Sequence, residues 1–208
     1  MTRKLLIGII LMTLAIPSHA QVTTAMTVYR EFQPATVYLA DGRKLRLSLA
    51  NIFLKNSSLL YKSGIETKEA NLKTLNKVEF KDKTYFKIDT LLACQIDTVG
   101  QDALFRARKI DYEAWKHIIA NNQVMTSLDL GDMIGYSLAE LTGEQDMQIP
   151  LMTLYYYRLN GKFVLVHERN LKRMLTKEKK RLMESVMAEE GFSWTDEQSL
   201  LRLLKMIR

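Results

Sequence analysis

Leu151-Met-Thr-Leu-Tyr-Tyr-Tyr-Arg-Leu159 and Lys162-Phe-Val-Leu-Val-His167 are two apolar, aromatic-rich runs joined by Asn160-Gly161. An Asn-Gly pair tolerates the positive φ angles of a type I′ turn, whose twist matches that of the strands it joins. A two-residue loop also fixes the register. Leu159 then faces Lys162, Tyr157 faces Val164 and Tyr155 faces Val166. On the other side Arg158 meets Phe163, Tyr156 meets Leu165 and Leu154 meets His167. Aromatic against β-branched is a favourable cross-strand pair, contributing roughly 0.2–1 kcal/mol. Large apolar groups on both sides predict a strand pair covered on both faces rather than an edge.

The chain beyond this hairpin has a helical period. Leu171 and Leu175 share one face of a short helix. Thr176 is placed to cap a second helix carrying Leu182, Met183, Val186 and Met187, and Gly191 is a natural stop. Thr195-Asp-Glu-Gln198 reads as a capping box for a last helix with the apolar stripe Leu200, Leu201, Leu203, Leu204 and Ile207.

Upstream, Asp41-Gly42 joins Val37–Ala40 to Arg43–Leu47, and Leu45, Leu47 and Leu49 alternate with Lys44, Arg46 and Ser48. That alternation predicts one buried and one wet face. Ile52–Leu54 and Leu59–Tyr61 flank a turn at Lys55–Ser58, and Glu66–Thr74 reads as a loop or an edge strand. Val78–Phe80 and Tyr85–Ile88 form a further hairpin. Val37, Leu39, Asp41, Leu45 and Leu47 map onto Val78, Phe80, Asp82, Phe86 and Ile88 at constant offset. This fits either a duplicated β-meander or the general likeness of amphipathic hairpins. Asp111–Ile119 reads as a helix with Asp111 as N-cap and Trp115, Ile118 and Ile119 on one face. Val124–Leu130 and Ile134–Leu141 read as strands joined at Gly131-Asp132.

These elements predict an α+β protein: mostly antiparallel sheet, built of meanders and hairpins, followed by C-terminal helices. Residues 1–20 read as a signal peptide, with Arg3 and Lys4 before the apolar run Leu5–Ile16 and Ser18 and Ala20 before a cut at Gln21. That run is shorter than the about 20 residues a bilayer span needs, and no later run is long enough either. Residues 21–112 then form a β-meander region, and 113–208 supply a helix, the hairpin and the terminal helices, packed on the first region. Loss of Arg3 and Lys4 lowers the formal charge from +7 to +5. Cys94 is the one cysteine, among Leu91, Leu92, Ala93 and Ile96, and reads as a buried, inert thiol.

Chemistry-bearing motifs are sparse. His117 and His167 have no His or Cys at ligand spacing and read as structural. Gly-x-Ser-x-Gly and the glycine-rich phosphate loops do not occur, and Gly135-Tyr-Ser137 lacks the second glycine. No cofactor and no catalytic or metal residue is therefore expected. Glu66, Asp89, Asp97 and Asp129 are candidate carboxylates for a periplasmic hydrolase whose acids meet only in space. The concentrated charge is Arg169, Lys172, Arg173, Lys177, Lys179, Lys180 and Arg181. It reads either as an anion- or partner-binding face, with Arg169, Lys172, Arg173, Lys177, Lys180 and Arg181 as contacts, or as the solvated side of helices. The expected partner is an envelope protein or an anionic envelope component; nucleic acid is not expected, for want of a binding motif.

Tyr155–Val164, the stretch Lys55-Asn-Ser-Ser-Leu-Leu-Tyr-Lys62 and the ending from Phe192-Ser-Trp-Thr-Asp-Glu-Gln-Ser-Leu-Leu201 to Arg208 together resemble exported proteins of Gram-negative Bacteroidota. The resemblance spans most of the chain after Gln21. It implies export to the periplasm or beyond and brings no activity, cofactor or catalytic residue. It also implies O-glycan acceptance at Asp-Thr before an apolar residue, which Asp89-Thr90-Leu91 and Asp97-Thr98-Val99 both match. Asn56-Ser-Ser58 is a sequon of the eukaryotic type, idle in such a lineage. The leading expectation is a non-catalytic binding or structural protein of the cell envelope.

Overall fold

A computed structural model describes residues 22–23, 25–121 and 149–208, and side-chain surroundings for 25–117 and 149–208. Residues 1–20, the expected strands Val124–Leu130 and Ile134–Leu141, Asp129 and Gly135–Ser137 lie outside the described residues, as do the side chains of Ile118 and Ile119. The strands are β1 (Val22–Thr23), β2 (Gln33–Leu39), β3 (Lys44–Phe53), β4 (Ser58–Ser63), β5 (Glu66–Glu69) and β6 (Leu75–Glu79). They continue as β7 (Thr84–Ile88), β8 (Leu91–Val99), β9 (Asp102–Ile110), β10 (Ile149–Leu159) and β11 (Lys162–Leu165). The helices are α1 (Tyr112–Asn121), α2 (Glu168–Met174), α3 (Lys177–Met187) and α4 (Glu197–Ile207).

All strand pairs are antiparallel, in the order β1-β10-β9-β8-β7-β6-β2-β3-β4-β5, with β11 beside β10. With helices gathered after the strands, this is the α+β fold that the patterning predicts. Register shifts in β2–β3, β2–β6 and β8–β9 add local twist, and the sheet curls. The curl brings the end of β3 back towards β8 and β9: Ile110 N–H donates to Leu54 O at 2.8 Å and Leu92 N–H to Ser57 O at 2.7 Å. Ser57, held at φ 57°, also donates its hydroxyl to Leu92 O at 2.7 Å.

The inner face of the curl carries Val37, Ala50, Ile52, Val78, Tyr85, Leu92 and Cys94. Further along, α2, α3 and α4 lay Leu171, Met183, Val186, Leu200, Leu203 and Leu204 against Leu104, Tyr155 and Tyr157. Burial of such side chains stabilises by about 1.5–3 kcal/mol each before chain entropy is subtracted. Asn51, 1% exposed, is a polar staple inside this core. Its amide accepts from Tyr29 and Ile52 N–H and donates to Tyr29 O, tying the segment before β2 to β3.

The anchor hairpin has the expected register, Tyr157 opposite Val164 and Arg158 opposite Phe163, around an Asn160-Gly161 turn with φ of 49° and 78°. Its expected cover on both faces does not occur among the described residues. β10 is flanked by β9, but β11 is an edge, and Phe163 and Leu165 remain 38% and 37% exposed. Among the described residues, the layer of α2, α3 and α4 lies on one side of the sheet. His167 is not the strand residue expected opposite Leu154; it caps α2, its Nδ1 accepting from Arg169 N–H at 3.2 Å.

Leu45 and Leu49 are 45% and 42% exposed, against the expected buried row of leucines. Gln33 pairs with Ala50 and Ala35 with Leu47, so β3 holds one extra residue and Ala50 takes the inward position in place of Leu49. Leu45 does lie opposite buried Val37, but beside the exposed Asp41-Gly42 turn. The matching of the two early hairpins also breaks at the turn. Leu39 closes onto Arg43 whereas Phe80 closes onto Lys83, a loop one residue shorter. Leu45 therefore stands with the inner row and Phe86, its counterpart at constant offset, with the outer cluster of Ala93 and Phe105. Glu66–Glu69 resolves as a short charged edge strand, which discourages pairing with another chain.

Thr176 caps α3 as expected. The cap of α4 is Asp196, one residue later than Thr195, because its carboxylate is the group that accepts from Ser199 N–H, at 2.7 Å. α3 ends at Met187, and Gly191, at φ 82°, turns the chain a few residues later instead of closing the helix.

Candidate functional site

Successive inward positions of the sheet assemble a polar chamber. Tyr85, Cys94, Arg106 and Tyr155 are cross-strand neighbours on β7, β8, β9 and β10. Lys83 enters just before β7, and Arg108 follows Arg106 by the two-residue step that keeps a side chain on the same face. Val28, Ile52 and Ser57 close the space opposite them. The enclosed volume is about 10 Å³, room for one water-sized particle.

The chamber is rich in cations. Arg106 pairs with Glu197 of α4 at 2.5 Å, and Lys83 Nζ lies 3.5 Å from Asp82 and over the Tyr29 ring. Arg108 makes no ion pair among the described residues. Tyr29 donates its hydroxyl to Asp82 at 2.9 Å. Burial, with Tyr85 and Asp82 beside it, drives the Tyr29 pKa far above the ordinary phenol value. Burial likewise raises Tyr85. It also raises the Cys94 thiol, although Arg106, Lys83 and Arg108 pull the other way. Cys94 is thus the buried, neutral thiol that its neighbours predict, and it sits against a basic pocket without becoming a thiolate.

The predicted basic run is split by the structure. Arg169, Lys172 and Arg173 gather with His167 and Glu168 around an open depression of about 390 Å³. Lys172 is held by Glu168 at 2.6 Å and Glu184 at 3.3 Å, and those carboxylates raise its pKa. Arg169 and Arg173 are exposed and make no ion pair among the described residues. Lys177, Lys180 and Arg181 lie on α3, beyond the Thr176 cap, and do not line the depression.

Thr90 is exposed in the tight turn between β7 and β8, after Asp89 at φ 54°. Thr98 is exposed near the end of β8. Among the described residues, the candidate carboxylates Glu66, Asp89 and Asp97 do not converge. Asp89 and Asp97 flank most of the length of β8, roughly 25 Å at strand rise. Glu66 sits on the far edge strand paired with Lys68 at 3.1 Å. Among the described residues no three His, Cys, Asp or Glu side chains are grouped to hold a metal, and no helix is long and apolar enough to cross a membrane.

The sequence reading missed Lys83, Arg106 and Arg108 because they come from two hairpins and join only when β7, β8 and β9 pair. Their one local signal is Arg106-Ala-Arg108, two cations at strand period beside buried Leu104 and Ile110.

Fold and sites together describe an α+β protein with a basic interior and a basic helical depression. A scan against protein-family models, a search of curated proteins and a search of solved structures each found no match.

Proposed function

We propose that this chain is an exported protein of the cell envelope, periplasmic or secreted, that binds an anionic envelope component or acidic protein partner without catalysing a reaction. The observation that carries the binding reading is the depression beside α2, where Arg169 and Arg173 project without ion-pair partners among the described residues. The His167 cap and the Lys172–Glu168–Glu184 bridges hold α2 in place, so the two guanidinium groups start from an ordered frame. Guanidinium groups suit phosphate and carboxylate because they offer paired donors. Export is supported by the apolar run between Arg3-Lys4 and Ser18-His-Ala20, and by the resemblance to exported Bacteroidota proteins.

The test is equilibrium binding of fluorescent lipopolysaccharide to residues 21–208 and to the Arg169→Ala/Arg173→Ala variant. The double variant is expected to bind about tenfold or more weakly, with a smaller salt dependence. Equal affinity of the two proteins would overturn the reading. Thr90 and Thr98 are further proposed as O-glycan acceptors, since both are exposed beside turns. An intact mass equal to the bare chain from Gln21 to Arg208, for protein taken from its native envelope, would remove that proposal.

A further inference from the structure

We infer that the chamber lined by Lys83, Tyr85, Cys94, Arg106 and Arg108 is a binding site for one small monatomic anion of the halide class.

Charge is the first argument. Three cations line the space, and two of them have a carboxylate: Lys83 has Asp82 and Arg106 has Glu197. Arg108 has none among the described residues, yet it is only partly exposed. A partly buried cation without a counter-charge destabilises the fold, and an anion at its side removes that cost. Asp82 is already engaged twice, since besides facing Lys83 it accepts the Tyr29 hydroxyl at 2.9 Å.

Size is the second argument, and it selects the class of anion. A volume of about 10 Å³ accepts one atom-sized centre and leaves no place for a tetrahedral phosphate or sulfate. A carboxylate would need its carbon and second oxygen inside the same space. The wall is the third argument. Val28 and Ile52 form its apolar part, and Ile52 is fully buried. Such a wall keeps the local dielectric low, so cation–anion attraction exceeds that at an open surface. The neutral Cys94 thiol and Tyr85 hydroxyl add no competing negative charge, because burial keeps both protonated.

The role of a bound halide here is structural. It would join the β6–β7 turn, through Lys83, to β9, through Arg106 and Arg108, and so hold the curl closed where Ser57 meets β8.

The test uses residues 21–208 at constant ionic strength, with sodium gluconate replaced stepwise by sodium bromide. The melting temperature is expected to rise and then saturate. Crystals grown in bromide are expected to show an anomalous peak inside the chamber. Arg108→Gln is expected to lose the peak and to weaken bromide binding about tenfold or more. Arg108→Lys keeps the charge and checks that the site, not the fold, has been lost; it is expected to retain part of the bromide response. A chamber holding only water in bromide crystals, or a melting temperature indifferent to the exchange, would overturn the inference. So would an Arg108→Gln protein that folds and responds to bromide as the wild type does.

Discussion

The inner and outer faces of the sheet are made from the same strands, yet they are covered in different ways. On the inner side of β8–β10, an apolar helical layer takes Tyr157 to full burial, and its hydroxyl donates to Leu200 O at 2.6 Å. On the outer side the rings are roofed by their own cationic neighbours. Lys77 lies 4.1 Å from the Tyr38 ring centroid, and Arg158 covers Phe86 at 5.9 Å and Phe105 at 5.7 Å. Phe105 is thereby fully buried beside Phe86 and Phe163, which meet it edge-on. Period-two patterning states that two faces exist. It does not state whether a face is covered by a second layer of chain or by the stems of lysine and arginine.

Breaking the inner cover should cost most. Leu203→Ala empties a fully buried position and is expected to lower stability by about 2–5 kcal/mol in chemical denaturation. A loss below about 1 kcal/mol would mean that α4 is not a seal. Tyr157→Phe removes one buried hydroxyl and its bond to Leu200 O, for an expected loss of about 0.5–1.5 kcal/mol. Asp196→Ala deletes the α4 cap, at about 1 kcal/mol near neutral pH. The Ser199 N–H bond holds the Asp196 carboxyl below the ordinary carboxylate range. Its contribution is therefore full above the unfolded value of about 4 and fades as pH falls through the lower folded value. Wild type and variant should then converge in acid, and a gap that persists there would remove the cap from the explanation. The smallest effect is expected outside: Lys77→Met keeps the stem, loses the charge, and should cost about 0.5–1 kcal/mol.

Where structure follows from neighbouring residues, the sequence is readable. Asn160-Gly161 dictates its turn and the Tyr157–Val164 register, Asp111 and Thr176 cap their helices, and Cys94 is buried as its neighbours imply. Where structure depends on one residue more or less, it is not. The extra residue in β3 moves Leu49 outward, and a shorter turn separates Phe86 from its apparent counterpart Leu45. Asn51 looks like an ordinary polar strand residue until the chain segment that it binds is known. Of the site, Arg169, Lys172 and Arg173 were visible as a cluster because one helix carries them. The chamber was not, because pairing across β7, β8 and β9 sets Lys83 and Arg108 on one wall and the curl supplies the other.

The Arg106–Glu197 pair joins positions 91 residues apart. Most strand pairs in the sheet form between close neighbours along the chain, and these can appear as soon as each hairpin has left the ribosome. The lid over Tyr155 and Tyr157 cannot, because α4 follows β10 along the chain with β11, α2 and α3 between them. Until it arrives, a half-dressed sheet with two tyrosines and an unpaired arginine faces the surroundings. A chaperone that recognises nascent chains would therefore find Tyr155 and Tyr157 open between the completion of β10 and the docking of α4.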